Sequence, residues 1–185
     1  MGQGGKRRQT LAAAVLLAPW GAVLANGDEG LYLGLGGHES RVDVRQIDGG
    51  EVSVQASMGF RFNRFFGTEL GLYDLGRFRE SATVGPYTGN AEYSGWLTGI
   101  AAVPRLPLGI FDLYARLGVA YYDVDTTVVT SVGGVKDSES GFDIYGGAGA
   151  SVNIGSHWSV YLDYTAANAG ELVEMVGLGA RFHFD

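Results

Sequence analysis

The stretch Val52-Ser53-Val54-Gln55-Ala56-Ser57-Met58-Gly59-Phe60-Arg61-Phe62 settles the fold class. Apolar side chains fall on every even position and small or polar ones on every odd position, the period of an extended strand with two unlike faces. A helix would group its apolar residues three and four apart, and no part of the chain after position 26 sustains that spacing.

The same alternation recurs on both sides of this segment. Before it, Leu31, Leu33 and Leu35 oppose Tyr32, Gly34, Gly36 and His38. After it, Thr68, Leu70 and Leu72 oppose Glu69, Gly71 and Tyr73. A fourth segment, from about 91 to 103, has no clear parity, because Trp96 and Ile100 compete with Tyr93, Leu97 and Val103. Leu113, Ala115, Leu117, Val119 and Tyr121 then oppose Tyr114, Arg116, Gly118, Ala120 and Tyr122. The sixth segment sets Ile144, Ala148, Ala150, Val152 and Ile154 against Tyr145, Gly147, Gly149, Ser151 and Asn153, and the seventh sets Trp158, Val160, Leu162 and Tyr164 against Ser159, Tyr161, Asp163 and Thr165. The last sets Val176, Leu178, Ala180, Phe182 and Phe184 against Gly177, Gly179, Arg181 and His183. Each is long enough to cross a bilayer, since a tilted strand needs about 9 to 11 residues. The pattern predicts an all-β fold: a closed, eight-stranded, antiparallel up-and-down transmembrane barrel.

Connections alternate in length. Short ones are expected at Asn63–Phe65, Pro104–Ile110 and Gly155–Ser156, and long ones at Val42–Gly50, Phe78–Asn90 and Asp125–Glu139, the rhythm of short periplasmic turns and long extracellular loops. Only the last outer connection, near Asn168, is short. All four prolines are expected outside strand interiors, with Pro104 and Pro107 sharing one turn, because a strand proline removes a ladder bond. Aromatic residues band at strand ends: Phe60, Phe62, Phe65, Phe66, Phe111, Trp158, Phe182 and Phe184 at the periplasmic rim, and Tyr93, Tyr121 and Tyr164 near the outer rim.

At the amino end, Lys6, Arg7 and Arg8 precede the apolar run Leu11–Leu17 and the small-residue close Val23-Leu24-Ala25, the order of a cleavable signal peptide. The expected division is therefore a leader over 1–25 and a barrel over 26–185, beginning at Asn26. The chain has 185 residues and a net charge of −7 that includes the three leader cations, so the barrel is more acidic still. No basic cluster follows position 8, which argues against nucleic acid. Mean hydropathy is only +0.07, too low for a helical membrane protein but ordinary for a barrel that hides its apolar face in alternate positions. Without cysteine the chain has no disulfide, thiolate site or lipidated cysteine. No metal or cofactor motif is present; Gly146-Gly147-Ala148-Gly149 lacks dinucleotide spacing.

The chain resembles the small OmpA-type outer-membrane β-barrel domain family. The resemblance rests on Gly30-Leu31-Tyr32-Leu33-Gly34-Leu35-Gly36-Gly37, the run Asn63 to Tyr73, Leu106-Pro107-Leu108-Gly109 with Leu113-Tyr114-Ala115-Arg116-Leu117-Gly118, and the closing Gly177 to Phe184. It implies residence in the outer membrane, contact with outer-membrane lipids, insertion by the barrel-assembly machinery, and loops open to an extracellular partner. The last strand resembles the family's closing signal, with Asp185 following the aromatic Phe184. Family members with a peptidoglycan-binding domain carry it after the barrel, and the sequence stops at Asp185, so that anchoring role is not expected.

An eight-stranded barrel is about filled by its own side chains. Parity turns Arg61, Glu69, Arg116, Asp163 and Arg181 inward, and buried charges must pair. The expected function is a structural or surface-interaction protein whose lumen is plugged by these charges; a narrow gated channel built on the same residues is the alternative. A lipid-modifying acyl hydrolase or acyltransferase would need His38 and Ser40 with a carboxylate such as Asp43, but nothing fixes a third group, and His38 reads as a solvated rim residue. No catalytic residue is expected.

Overall fold

Alternation becomes two faces once the backbone is extended and paired. The computed structural model describes residues 29–42, 51–84, 87–130, 133–169 and 172–184. The leader, Asp43, most of the Val42–Gly50 connection, Pro86 and Asp185 lie outside these residues. The strands are β1 (Gly30–Val42), β2 (Glu51–Asn63), β3 (Phe66–Val84), β4 (Tyr87–Leu108), β5 (Phe111–Thr130), β6 (Gly133–Ile154), β7 (Trp158–Asn168) and β8 (Leu172–His183). Each pairs antiparallel with the next, and β8 returns to β1 from Tyr32↔His183 to Val42↔Val173, closing the barrel.

Seven strands face as their alternation predicts. Leu35, Ile144, Leu117 and Leu178 point outward and lie 60–68% exposed, an apolar belt that suits lipid and not water. Tyr32, Glu69, Tyr114, Arg116, Tyr145, Ser151 and Arg181 point inward and are buried. Glycine makes this packing possible: a Cβ at Gly59 would stand 2.2 Å from the Tyr32 ring, and one at Gly99 would stand 2.4 Å from the Tyr145 ring. The structure also fixes β4. Leu97, Ala101, Val103 and Arg105 are buried inside, while Trp96 and Ile100 face out. Its inward face is itself apolar, which removes the contrast that makes parity readable.

Two expectations need correction. Pro104 and Pro107 do not form a turn; they lie within β4, and the turn falls at Gly109–Ile110, where Gly109 has φ +74°. Proline is tolerated because this end of β4 outruns β3. Pro104 pairs with Phe66, the first residue of β3, and Pro107 pairs only with Asp112 of β5, an edge position. The β4–β5 pairing breaks after Ala102↔Leu117 and resumes in the same register at Arg105↔Tyr114, consistent with the missing N–H of Pro104.

The second correction concerns the long connections. Phe78–Asn90 and Asp125–Glu139 are laddered arms more than loops. Pairing runs from Phe78↔Tyr93 to Val84↔Tyr87 and from Asp125↔Ser138 to Thr130↔Gly133. Thr126, Thr127, Val128, Val129 and Val135 supply the β-branched side chains that favour such extension. β3 to β6, of 19 to 22 residues, therefore rise as a sheet above the shorter β1, β2, β7 and β8, of 11 to 13. β3 parts from β2 after Gln55↔Tyr73, and β6 from β7 after Tyr145↔Ala167. Just past the first parting, Leu75 is an extra residue in β3: Asp74 pairs with Trp96 and Gly76 with Gly95. This bulge turns Leu75 wholly inward and needs glycine at position 76, where φ is +85°.

Candidate functional site in the barrel lumen

The inward rows of β3, β5, β7 and β8 bring four charges together at mid-barrel. Arg116 Nη2 lies 2.8 Å from Asp163 Oδ2 and 3.3 Å from Glu69 Oε1. Its Nη1 donates to the Tyr73 hydroxyl at 2.9 Å and to Thr165 Oγ1 at 3.0 Å. Arg181 Nη2 lies 3.6 Å from Glu69 Oε2 and donates to the Tyr114 hydroxyl at 3.0 Å. Tyr32 donates to Glu69 Oε2 at 2.7 Å, and Tyr114 donates to Asp163 Oδ2 at 3.3 Å. The Arg181 guanidinium also lies over the rings of Tyr161, at 4.2 Å, and Tyr114, at 4.5 Å. All four charged side chains are buried, and partners of opposite sign surround each of them. Arg61 lies one inward step nearer the short-turn end, in register with Gly30 and Gly67.

Toward the short turns lies a second ion pair. Arg105 Nη2 meets Asp112 Oδ2 at 3.1 Å, and Asn153 Nδ2 donates to the same oxygen at 3.0 Å. Ser159 Oγ and His183 Nε2 are 2.9 Å apart beside it in the barrel wall. Sequence reasoning missed Arg105 and Asp112 because it placed the first in a turn and began the fifth strand at Leu113. Extending that strand's parity by one residue would have turned Asp112 inward.

Toward the projecting sheet the lumen is mostly apolar, with buried His38 and Ser40 as polar exceptions. Leu75, Leu97, Val124, Val173 and Met175 pack with Tyr73 and Tyr145, and Tyr93 and Tyr122 lean on the cluster. The lumen thus holds three stacked layers: a polar pair, an ionic quartet and an apolar cap. A model of the outer membrane protein β-barrel domain matches residues 10–184. The chain belongs to that family. Its place is the cell outer membrane, crossed by its strands.

Solved outer-membrane barrels share the fold. Ail of Yersinia pestis, solved with the heparin analogue sucrose octasulfate, superposes with a TM-score of 0.57 at 18% identity, over 85% of this chain and 98% of that one. The amino-terminal barrel of Pseudomonas aeruginosa OprF gives 0.56 at 15% identity, over 84% and 99%. Neisserial surface protein A gives 0.52 at 12%, over 85% and 97%. No curated protein matches by sequence.

In this outer-membrane barrel the aromatics gather at both ends of the apolar belt. At the short-turn rim, Phe60 contacts Phe62, Phe62 stacks on Phe66, and Phe182 lies between Trp158, Phe184 and the ring of His157. Phe111 is exposed at the same level. At the other rim, Trp96, Tyr121 and Phe142 form a contact chain with centroids 6.0 and 5.1 Å apart. Tyr93, expected on that lipid-facing rim, instead packs inward, in keeping with the parity of β4.

His38 is not a solvated rim residue. It is 1% exposed, its ring lies edge-on to Tyr73, and Ser40 is wholly buried. No hydrogen bond joins His38 to Ser40.

Proposed function

We propose that this chain is an exported outer-membrane barrel with a structural and surface-interaction role, its lumen held shut by side chains. The leader over 1–25 would be removed, and residues 26–185 would form the mature barrel. Outer-membrane lipids would cover the apolar belt, and the assembly machinery would recognise the closing strand at Phe182 and Phe184. The observation that carries the reading is Arg116 bridging Glu69 and Asp163 between an apolar cap and a second ion pair. A mobile gate would leave one of these charges without a partner in the open state, and a buried unpaired charge is strongly destabilising.

The projecting sheet is the natural place for a partner. Its described side chains carry Asp74, Glu92, Asp123, Asp125, Asp137, Glu139 and Asp143 against Arg77 and Lys136. Such a surface repels polyanions of the kind bound to Ail and fits a cationic or uncharged partner.

A narrow gated channel is the second reading, favoured by the ionisable character of the quartet. Planar bilayers separate the two. The plugged barrel gives no steady conductance, and combined Arg116→Ala and Glu69→Ala substitution opens discrete steps. Steady conductance in the unaltered protein would overturn the plug and support the channel. For lipid modification, the burial of Ser40 and the lack of a hydrogen bond to His38 offer no activated nucleophile.

A further inference from the structure

The outer face of the barrel is not smooth where β2 and β3 separate. Their pairing stops at Gln55↔Tyr73, and the bulge at Leu75 carries β3 away from β2. Asp74 Oδ1 accepts a hydrogen bond from the Gly76 N–H at 3.1 Å and holds the bend. The parting opens a cleft of about 600 Å³ whose lining includes three carboxylates, Asp74, Asp123 and Asp125, one cation, Arg77, and the side chains of Val52 and Trp96. Below it, toward the bilayer, lies a second space of about 220 Å³, lined by Val54, Ala56, Leu72 and again by Trp96 and Asp74. The two spaces share Asp74 and Trp96 in their walls, a polar chamber above an apolar slot.

Register defines the floor of the chamber. Asp74 pairs with Trp96, and Trp96 with Asp123, so one rung sets a carboxylate on each side of the indole. Directly paired residues on adjacent strands point to the same face, and neighbouring strands are about 4.8 Å apart. Trp96 is 46% exposed and touches Tyr121 in the outer aromatic girdle, which places the chamber at the level where lipid headgroups meet acyl chains. Nearby charges are already matched: Arg77 lies 3.5 Å from Glu92, and Asp125 holds Lys136 at 3.1 Å as well as the Ser138 hydroxyl. Among the described residues no cation pairs with Asp74 or Asp123.

We propose that this cleft binds a cationic amphiphile, with an ammonium head over Trp96 between Asp74 and Asp123 and an alkyl chain in the slot of Val54, Ala56 and Leu72. An indole face attracts a cation through its quadrupole, and flanking carboxylates add to that attraction while repelling anionic heads. The slot removes the alkyl chain from water at a point where the headgroup boundary would otherwise expose it. The site stands independently of whether the lumen conducts.

The test uses protein purified from outer membranes into dodecyl maltoside micelles. In a Trp158→Phe background Trp96 is the only tryptophan beyond position 20. The probes are two amphiphiles with the same chain-brominated dodecyl tail, one headed by trimethylammonium and one by maltoside. The cationic probe is expected to half-quench Trp96 at a mole fraction ~10-fold lower than the neutral one. Combined Asp74→Asn and Asp123→Asn substitution erases the difference while the barrel stays heat-modifiable. Tetramethylammonium, which has the head but no chain, does not displace the probe at equal concentration. Equal quenching by both probes, or a preference that survives the double substitution, would overturn the proposal. So would the same preference at Trp158 in a Trp96→Phe variant, since that tryptophan sits on the opposite rim.

Discussion

The lumen and the projecting sheet use the same chemistry to different effect. Inside, Arg116 meets Glu69 and Asp163 with every side chain at most 3% exposed. Outside, Lys136 meets Asp125 at a comparable 3.1 Å, but their side chains are 59% and 44% exposed. Distance alone would rank the pairs as near equals. Water separates them: an exposed pair is screened and gains little, whereas a buried charge that loses its partner cannot recover the hydration it gave up. The lumen is therefore where substitutions should be felt in stability, and the sheet is where a changed charge should leave stability nearly untouched.

Four substitutions test that contrast. Arg116→Ala takes the cation from buried Asp163, leaves Glu69 with only the more distant Arg181, and should cost about 3–5 kcal/mol, read as a lower urea midpoint for unfolding from detergent micelles. Leu97→Ala in the apolar cap should cost about 2–4 kcal/mol through the cavity it leaves, and a loss as small as that of a surface change would mean that the cap is loosely packed. Glu69→Gln keeps the shape but weakens the contacts to Arg116, Arg181 and Tyr32, for a cost of about 2 kcal/mol. Its melting temperature should fall clearly below that of Glu139→Gln on the exposed arm; equal shifts would mean a wet lumen. Lys136→Ala should change stability by less than about 0.5 kcal/mol, and a larger loss would erase the distinction drawn between the two regions.

Much of this fold was legible because lipid imposes a binary rule on alternate residues. The parity of Glu69, Arg116, Asp163 and Arg181 follows from Leu70, Leu117, Leu162 and Phe182 beside them. Their pairing does not, because periodicity gives a direction but not the register between strands. That is also why Arg61, equally inward by parity, turned out to lie a step away from the quartet. β4 resisted reading because Leu97, Ala101 and Val103 fill the lumen with the same kind of residue that faces lipid. The arms were taken for loops because the clear alternation ends near Tyr73 and Tyr122, and the Ser, Thr, Asp and Gly residues that follow say nothing of how far a ladder extends.

The quartet has a consequence for voltage. A lone arginine free to move across the membrane would exchange about 2.3 kcal/mol with the field for every 100 mV. Glu69 and Asp163 cancel Arg116 and Arg181, so moving the four together along the barrel axis does no net electrical work. Whatever potential stands across the outer membrane, it can twist this assembly but has no net charge by which to pull it out of place.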